Sequence, residues 1–220
     1  MKPMHKREIP FERVIFFSDA VVAIAITLLA LELKLNIPED RCVTFQDLIS
    51  PWKNYLGFLL SFINIANFWR RHHQMYAYIH KMNDLTLIYN ICWLFFIVVL
   101  PFSTGILSTH FGDSPAIFLY SMNIFALSIF QNFIWDSADL KNDYIDTAKI
   151  SDDERNRFRI TFNLDMVNSL VCVLLSFFMP KTTFFLLFFK VPFMFLATFY
   201  IAKQRRQDSH AKKQVKTDQE

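Results

Sequence analysis

Glycine is almost missing from this chain, at 3 of 220 residues, and only 20% of residues are charged. A soluble domain of this length normally carries more turn formers and more charge, so that class is disfavoured at once. Cysteine is equally scarce. Cys42, Cys92 and Cys172 show no paired spacing, and two of them lie in apolar runs. That excludes a disulfide framework and gives no zinc pattern, which leaves packing as their expected role. The third absence is local. No Asp, Glu, Lys or Arg occurs in 20–31, 54–69, 85–112, 114–135 or 166–180, and Lys190 alone interrupts 182–202.

What fills those gaps is apolar and aromatic: 53% of the chain is hydrophobic, with 26 Phe. A hydrocarbon core about 30 Å thick is crossed by roughly 20 helical residues. Five of the six runs reach or approach that length once flanking residues that snorkel are counted, and 182–202 spans if Lys190 is accommodated. Barrel strands would alternate apolar and polar, whereas "CWLFFIVVL" and "FFLLFF" are apolar all round. The expected fold class is therefore an all-α membrane protein with six transmembrane helices, at 11–34, 49–72, 84–108, 115–136, 160–180 and 182–204. Residues 1–204 form the membrane domain. Residues 205–220 form a basic tail, expected to be disordered or to lie along the lipid surface. The segment 136–159 reads as a polar connector, and Pro101 and Pro192 as interruptions of helices three and six.

A cleaved secretory signal at the N-terminus fits poorly, because Glu8 and Glu12 precede the first apolar run and Asp19 sits within it. Counting Lys and Arg by side orients the helices. With six spans, 18 of these residues share a side with both termini, against Lys34, Arg41, Lys53 and Lys181 opposite. Both termini are then expected in the cytoplasm. The basic clusters sit beside membrane spans, where topology and anionic lipid account for them, and a net charge of +3 gives no reason to expect nucleic-acid binding.

The first helix, within "RVIFFSDAVVAIAITLLALEL", has two kinds of surface. At 100° per residue, Ile24, Thr27, Leu28 and Leu31 form one stripe. Asp19 and Ser18 point away from it on either side. An ionisable group in a span should face protein or water and find partners. Arg13, Trp69, His72, His73 and Asn90 are the candidates. Capping of a helix end explains Ser18 and Asp19 equally well, and ordinary helix packing is an alternative for the stripe. Lys190 has two readings as well: snorkelling or pairing with Asp165, or facing a pore, where it would repel cations.

"R-x-x-x-F-S-D", here Arg13, Phe17, Ser18 and Asp19, resembles the first-helix signature of the transmembrane protein 175 family of potassium channels. "AIAITLLALEL", "FWRRHH" and "NDLTLIYN…VVLPFSTGIL" are similar too, and the likeness runs through residues 11–108. The resemblance implies a bacterial single-repeat channel that assembles as a homotetramer, with the first helix of each subunit lining the pore. It implies a hydrophobic constriction at Ile24, Leu28 and Leu31, a selectivity hydroxyl at Thr27, and a polar network of Arg13, Ser18, Asp19, Trp69, His72 and Asn90. K+ is the implied permeating ion, in the bacterial cell membrane. The family lacks a carbonyl-lined filter, and no "TVGYG"-like stretch occurs here. Neither an enzyme nor a cofactor is implied. A secondary transporter and a proton-permeable pore are the competing functions. A membrane enzyme using His72, His73, His80 and Asp84 is a weaker one, since adjacent histidines cannot share one helix face and no HExxH pattern is present.

Overall fold

Why the chain breaks where it does is visible in its caps. Asn83 Oδ1 accepts from the Thr86 backbone N–H at 2.7 Å and opens a 26-residue helix. Ser151 with Glu154, and Thr44 with Asp47, form reciprocal capping boxes. Gly112, at φ 95°, supplies the left-handed residue of the tight "HFGD" turn.

The computed structural model of the protein describes residues 11–35, 37, 40–139 and 144–190. Helix α1 is Phe11–Leu28 and continues as a 3₁₀ turn, Leu29–Glu32. A short α2, Phe45–Ile49, is followed by α3, Trp52–Tyr76, and α4, Asp84–Thr109. Next come α5, Ser114–Asp139, and α6, Asp152–Leu175. Residues 180–190 are helical and are labelled α7.

Helix α5 is the pillar of the bundle. It packs on α4 and α6 and also touches α3, while α1 lies on α4 and α3. Trp93, Tyr120, Trp135, Phe68 and Phe162 fill the centre. Polar side chains along α5 tie it to each neighbour. Ser61 of α3 donates to Tyr120 Oη at 3.1 Å, and the Asn123 amide pairs with the Ser103 hydroxyl of α4 at 3.2 Å. Asn132 donates to Asn163 of α6 at 2.6 Å. In lipid, where water cannot satisfy polar groups, such bonds select which helix faces meet. Gly57 of α3 lies so close to Ser108 of α4 that a Cβ there would collide with its hydroxyl.

Among the described residues, four helical stretches, Phe11–Glu32, Asp84–Thr109, Ser114–Asp139 and Asp152–Leu175, are long and apolar enough to cross a membrane. The α3 helix is long enough at 25 residues but is not among them, because Asn64, Asn67, Arg71 and His72 turn polar groups into the bundle. Several boundaries differ from the sequence expectation. Helix α6 starts at Asp152 rather than 160, because Ser151 and Glu154 cap it there, and it ends at Leu175. The segment 136–159 is thus helical at both ends, and α5 runs on to Asp139. Pro101 lies inside α4 without ending it. Pro192, the remainder of 182–204 and the tail 205–220 lie outside the described residues.

Candidate functional site

The two surfaces of α1 are separated by burial. Val14, Ser18, Val22 and Ala25, followed by Leu29 in the 3₁₀ turn, face inward against α3 and α4. The opposite side is bare in the single chain: Ile24 is 60% exposed, Leu28 39% and Leu31 64%, with Thr27 exposed between them. The 3₁₀ turn preserves this division. Side chains three apart eclipse in that geometry, so Leu31 falls in line with Leu28 on the bare face and Glu32 with Leu29. The Glu32 carboxylate accordingly lies against Gly105 of α4, in space that any Cβ would take.

Thr27 Oγ1 donates to the Ile24 carbonyl at 2.8 Å. Its proton is committed to the helix, so the hydroxyl presents oxygen lone pairs outward.

The inward side is held by a directed chain of hydrogen bonds. Asn90 of α4 donates from Nδ2 to Ser18 Oγ at 3.0 Å, and Ser18 passes its own proton to the Val14 carbonyl at 2.8 Å. Asn90 Oδ1 lies 2.8 Å from His72 Nε2 and accepts from Tyr76 Oη at 3.2 Å. An amide oxygen only accepts, so this arrangement places the His72 proton on Nε2. The imidazole is stacked on Trp93, 4.3 Å between centroids and 12° between planes. Beside this chain, Trp69 Nε1 donates to Asp19 Oδ1 at 2.9 Å.

Of the residues singled out in the sequence, the structure thus brings Ser18, Asp19, Trp69, His72 and Asn90 together. Arg13 and Phe17 stand apart: both are exposed, and among the described residues no hydrogen bond or ion pair engages Arg13. Of the candidate partners for Asp19, the donor is the Trp69 indole N–H. His72 and His73 diverge, His73 stacking on Trp69 at 5.7 Å. Tyr76 and Trp93 belong to the cluster and were missed. The signal was present in the i, i+4 spacing of His72 and Tyr76 and the i, i+3 spacing of Asn90 and Trp93.

Lys190 is also resolved geometrically. Its Nζ lies 2.7 Å from Asp165 Oδ1 and is buried in its own subunit, away from the bare face of α1.

A family profile described as endosomal/lysosomal potassium channel TMEM175 matches residues 13–101, the segment that contains the contacts among Ser18, Asp19, Trp69, His72 and Asn90. Over that stretch the chain is similar to the TMEM175 family. A potassium channel of Chamaesiphon minutus is 33% identical over 133 residues, covering 57% of this chain and 64% of that one. An endosomal/lysosomal proton channel TMEM175 of Gallus gallus is 35% identical over 140 residues, which are 58% of this chain but 28% of that protein. The chain therefore spans less than two thirds of the length of these relatives. Among solved structures, a lysosomal potassium-selective channel TMEM175 homologue from Chamaesiphon minutus superposes with a TM-score of 0.75. The sequences there are 26% identical, over 85% of this chain and 97% of that one. The fold is also shared with the potassium channel MtTMEM175, at a TM-score of 0.58 and 21% identity. Together with the four apolar helices, the TMEM175 match makes this a multi-pass membrane protein.

Proposed function

We propose that the protein is a K+-preferring cation channel whose pore is lined by α1 from four copies of the chain. The observation that carries this reading is the division of α1. One side is pinned by Ser18–Asn90 and Asp19–Trp69, and the other leaves Ile24, Thr27, Leu28 and Leu31 uncovered by the subunit. A face so bare on a helix so firmly held at its base fits a role between subunits. Relatives named as potassium channels support the ion.

In this arrangement four Ile24 side chains, backed by Leu28 and Leu31, form a constriction that excludes water when narrow, and a dewetted neck blocks ions. A small tilt of α1 about its pinned base widens the ring. Thr27, with its proton held by the Ile24 carbonyl, then offers hydroxyl oxygen to a partly dehydrated cation. Six spans with both termini in the cytoplasm, α7 being the sixth, complete the proposed topology. No covalent chemistry is involved.

Purified protein in liposomes with opposed K+ and Na+ gradients tests the reading. A reversal potential near that of K+ and unitary currents are expected, with a fourfold subunit mass in detergent. Ile24→Asn wets the neck and raises flux at least about tenfold, the change that ~1.4 kcal/mol off a barrier produces. Saturating, coupled fluxes without unitary events would instead indicate a transporter. A second reading, proton permeation, is favoured by the relative named as a proton channel; a pH dye inside the same liposomes reads it directly.

A further inference from the structure

Three charged side chains meet, almost fully buried, inside the bundle. Asp165 of α6 lies 2.7 Å from Lys190 Nζ of α7 and 3.3 Å from an Arg71 nitrogen of α3. Their side chains are 3%, 6% and 4% exposed, in that order. Ser128 of α5 donates to Asp165 Oδ2 at 3.1 Å, and Lys190 donates to Ser169 Oγ at 3.1 Å. Ionisable groups buried in a membrane bundle are costly and are retained where they act. Nothing in the conduction path described above uses these.

Arg71 lies between Trp69 and His72 in the chain. Those two reach α1 and its neighbour α4: Trp69 holds Asp19, and His72 holds the Asn90 amide that holds Ser18. Arg71 points to the other side of α3, toward Asp165. One turn of α3 is therefore gripped from both directions, by the base of the proposed pore helix and by the charge cluster on α6 and α7. We propose that Asp165 and Lys190 act through Arg71 as positioning residues for α1, holding its base in the narrow state. This rests on the channel reading above.

The charges are unequal, one carboxylate between two cations, and this asymmetry makes the idea testable. Removing Lys190 leaves Arg71 and Asp165 as a balanced pair, which the bundle can keep. Removing the Asp165 charge leaves two buried cations face to face, and an uncompensated buried charge is strongly destabilising.

Lys190→Met is expected to assemble in near-normal yield, and Asp165→Asn at less than a tenth of it. In liposomes Lys190→Met should raise the open fraction at least threefold with an unchanged reversal potential, and Lys190→Arg should restore the wild-type value. A purely structural lysine would not separate open fraction from ion preference in this way. The proposal is overturned if Lys190→Met fails to assemble, if its open fraction is unchanged or lower, if Lys190→Arg does not restore it, or if Asp165→Asn assembles equally well. A second readout needs no current: the unfolding rate in detergent, in a double-mutant cycle of Lys190→Met with Trp69→Phe. These side chains share no direct contact, so independent sites would give additive effects. A coupling of at least threefold is expected, and additivity overturns the proposal. If wild-type protein conducts nothing, the channel reading falls while this cycle still judges the link through α3.

Discussion

Trp69 and Asp19, fifty residues apart, meet through a 2.9 Å hydrogen bond in which the indole N–H donates to the carboxylate. This contact ties the first helix to the third. Asp19→Asn retains an acceptor oxygen and is expected to stay within about 1 kcal/mol of wild type, whereas Asp19→Ala and Trp69→Phe each lose about 1–3 kcal/mol. Thermal unfolding of the detergent-solubilised protein separates the cases. Equal loss in all three variants would mean that the charge, rather than the accepted bond, does the holding.

Asn90 carries more of the load. Its amide serves Ser18, Tyr76 and His72 at once, and it is 1% exposed. Asn90→Leu has similar volume but strands a buried imidazole N–H and a phenol O–H. Each lost partner costs about 1–3 kcal/mol, so this variant should be the least stable at the site. Asn90→Asp is informative beside it: the acceptor side survives and the bond to Ser18 turns on a protonated oxygen. Asn90→Leu unfolding at the wild-type temperature would refute the network.

Much of this was legible in the sequence, for identifiable reasons. Charge-free runs long enough for a bilayer marked α1, α4 and α5 to within a few residues, because lipid leaves no alternative to an apolar helix. Ser18 and Asp19 stood out because polar groups in such a run need partners, and Trp69, His72 and Asn90 were within reach on the next two helices. What stayed hidden depended on the third dimension. Which of the candidate partners Asp19 takes is one example: it is the distant Trp69, while Arg13, much nearer in sequence, stays exposed. The early start of α6 was masked by the polar first turn, "DDERNRFR", which hydropathy reads as a loop but its capping box makes helical. The five-residue α2 was overlooked because no period shows over so short a span. Pairing of Lys190 with Asp165 was among the sequence readings, but the third member, Arg71, comes from a helix that sequence alone cannot align with them.

At the opposite end of α1 from that network, Arg41 donates to both Asp47 oxygens at 2.7 Å, and Thr44 adds backbone and hydroxyl donors. The Arg41 hydrogen bonds, followed by those from Thr44, hold the Asp47 carboxyl well below the usual carboxylate range. A depressed carboxylate contributes stability that is fully present above its unfolded pKa and disappears as pH falls through the folded one. The cap of α2 should therefore persist through the ordinary carboxylate range and fail only in stronger acid. Amide-exchange protection at Asp47 and Ser50 measures it. In Arg41→Gln, which leaves only the Thr44 donors, loss should come at higher pH; an identical profile would show that the ion pair contributes nothing to the cap.

Thr27 is where the proposed ion preference can be isolated from stability. It is exposed on the bare face, and its hydroxyl bonds only the carbonyl one turn back, so Thr27→Ala removes oxygen from the pore without opening the subunit's core. The α-helix loses little, since alanine is the better helix former and the i−3 bond contributes nothing to the ladder. Thr27→Ser keeps the oxygen and its geometry. Liposome recordings should therefore give Thr27→Ser a wild-type reversal potential, while Thr27→Ala lowers the K+ over Na+ ratio by roughly three- to tenfold, the effect of about 0.7–1.4 kcal/mol per ion. Unfolding temperatures should stay together across the set, which distinguishes lost coordination from a damaged fold. If Thr27→Ala keeps the full ratio, the hydroxyl does not touch the ion, and the preference must arise at the neck formed by Ile24 and Leu28.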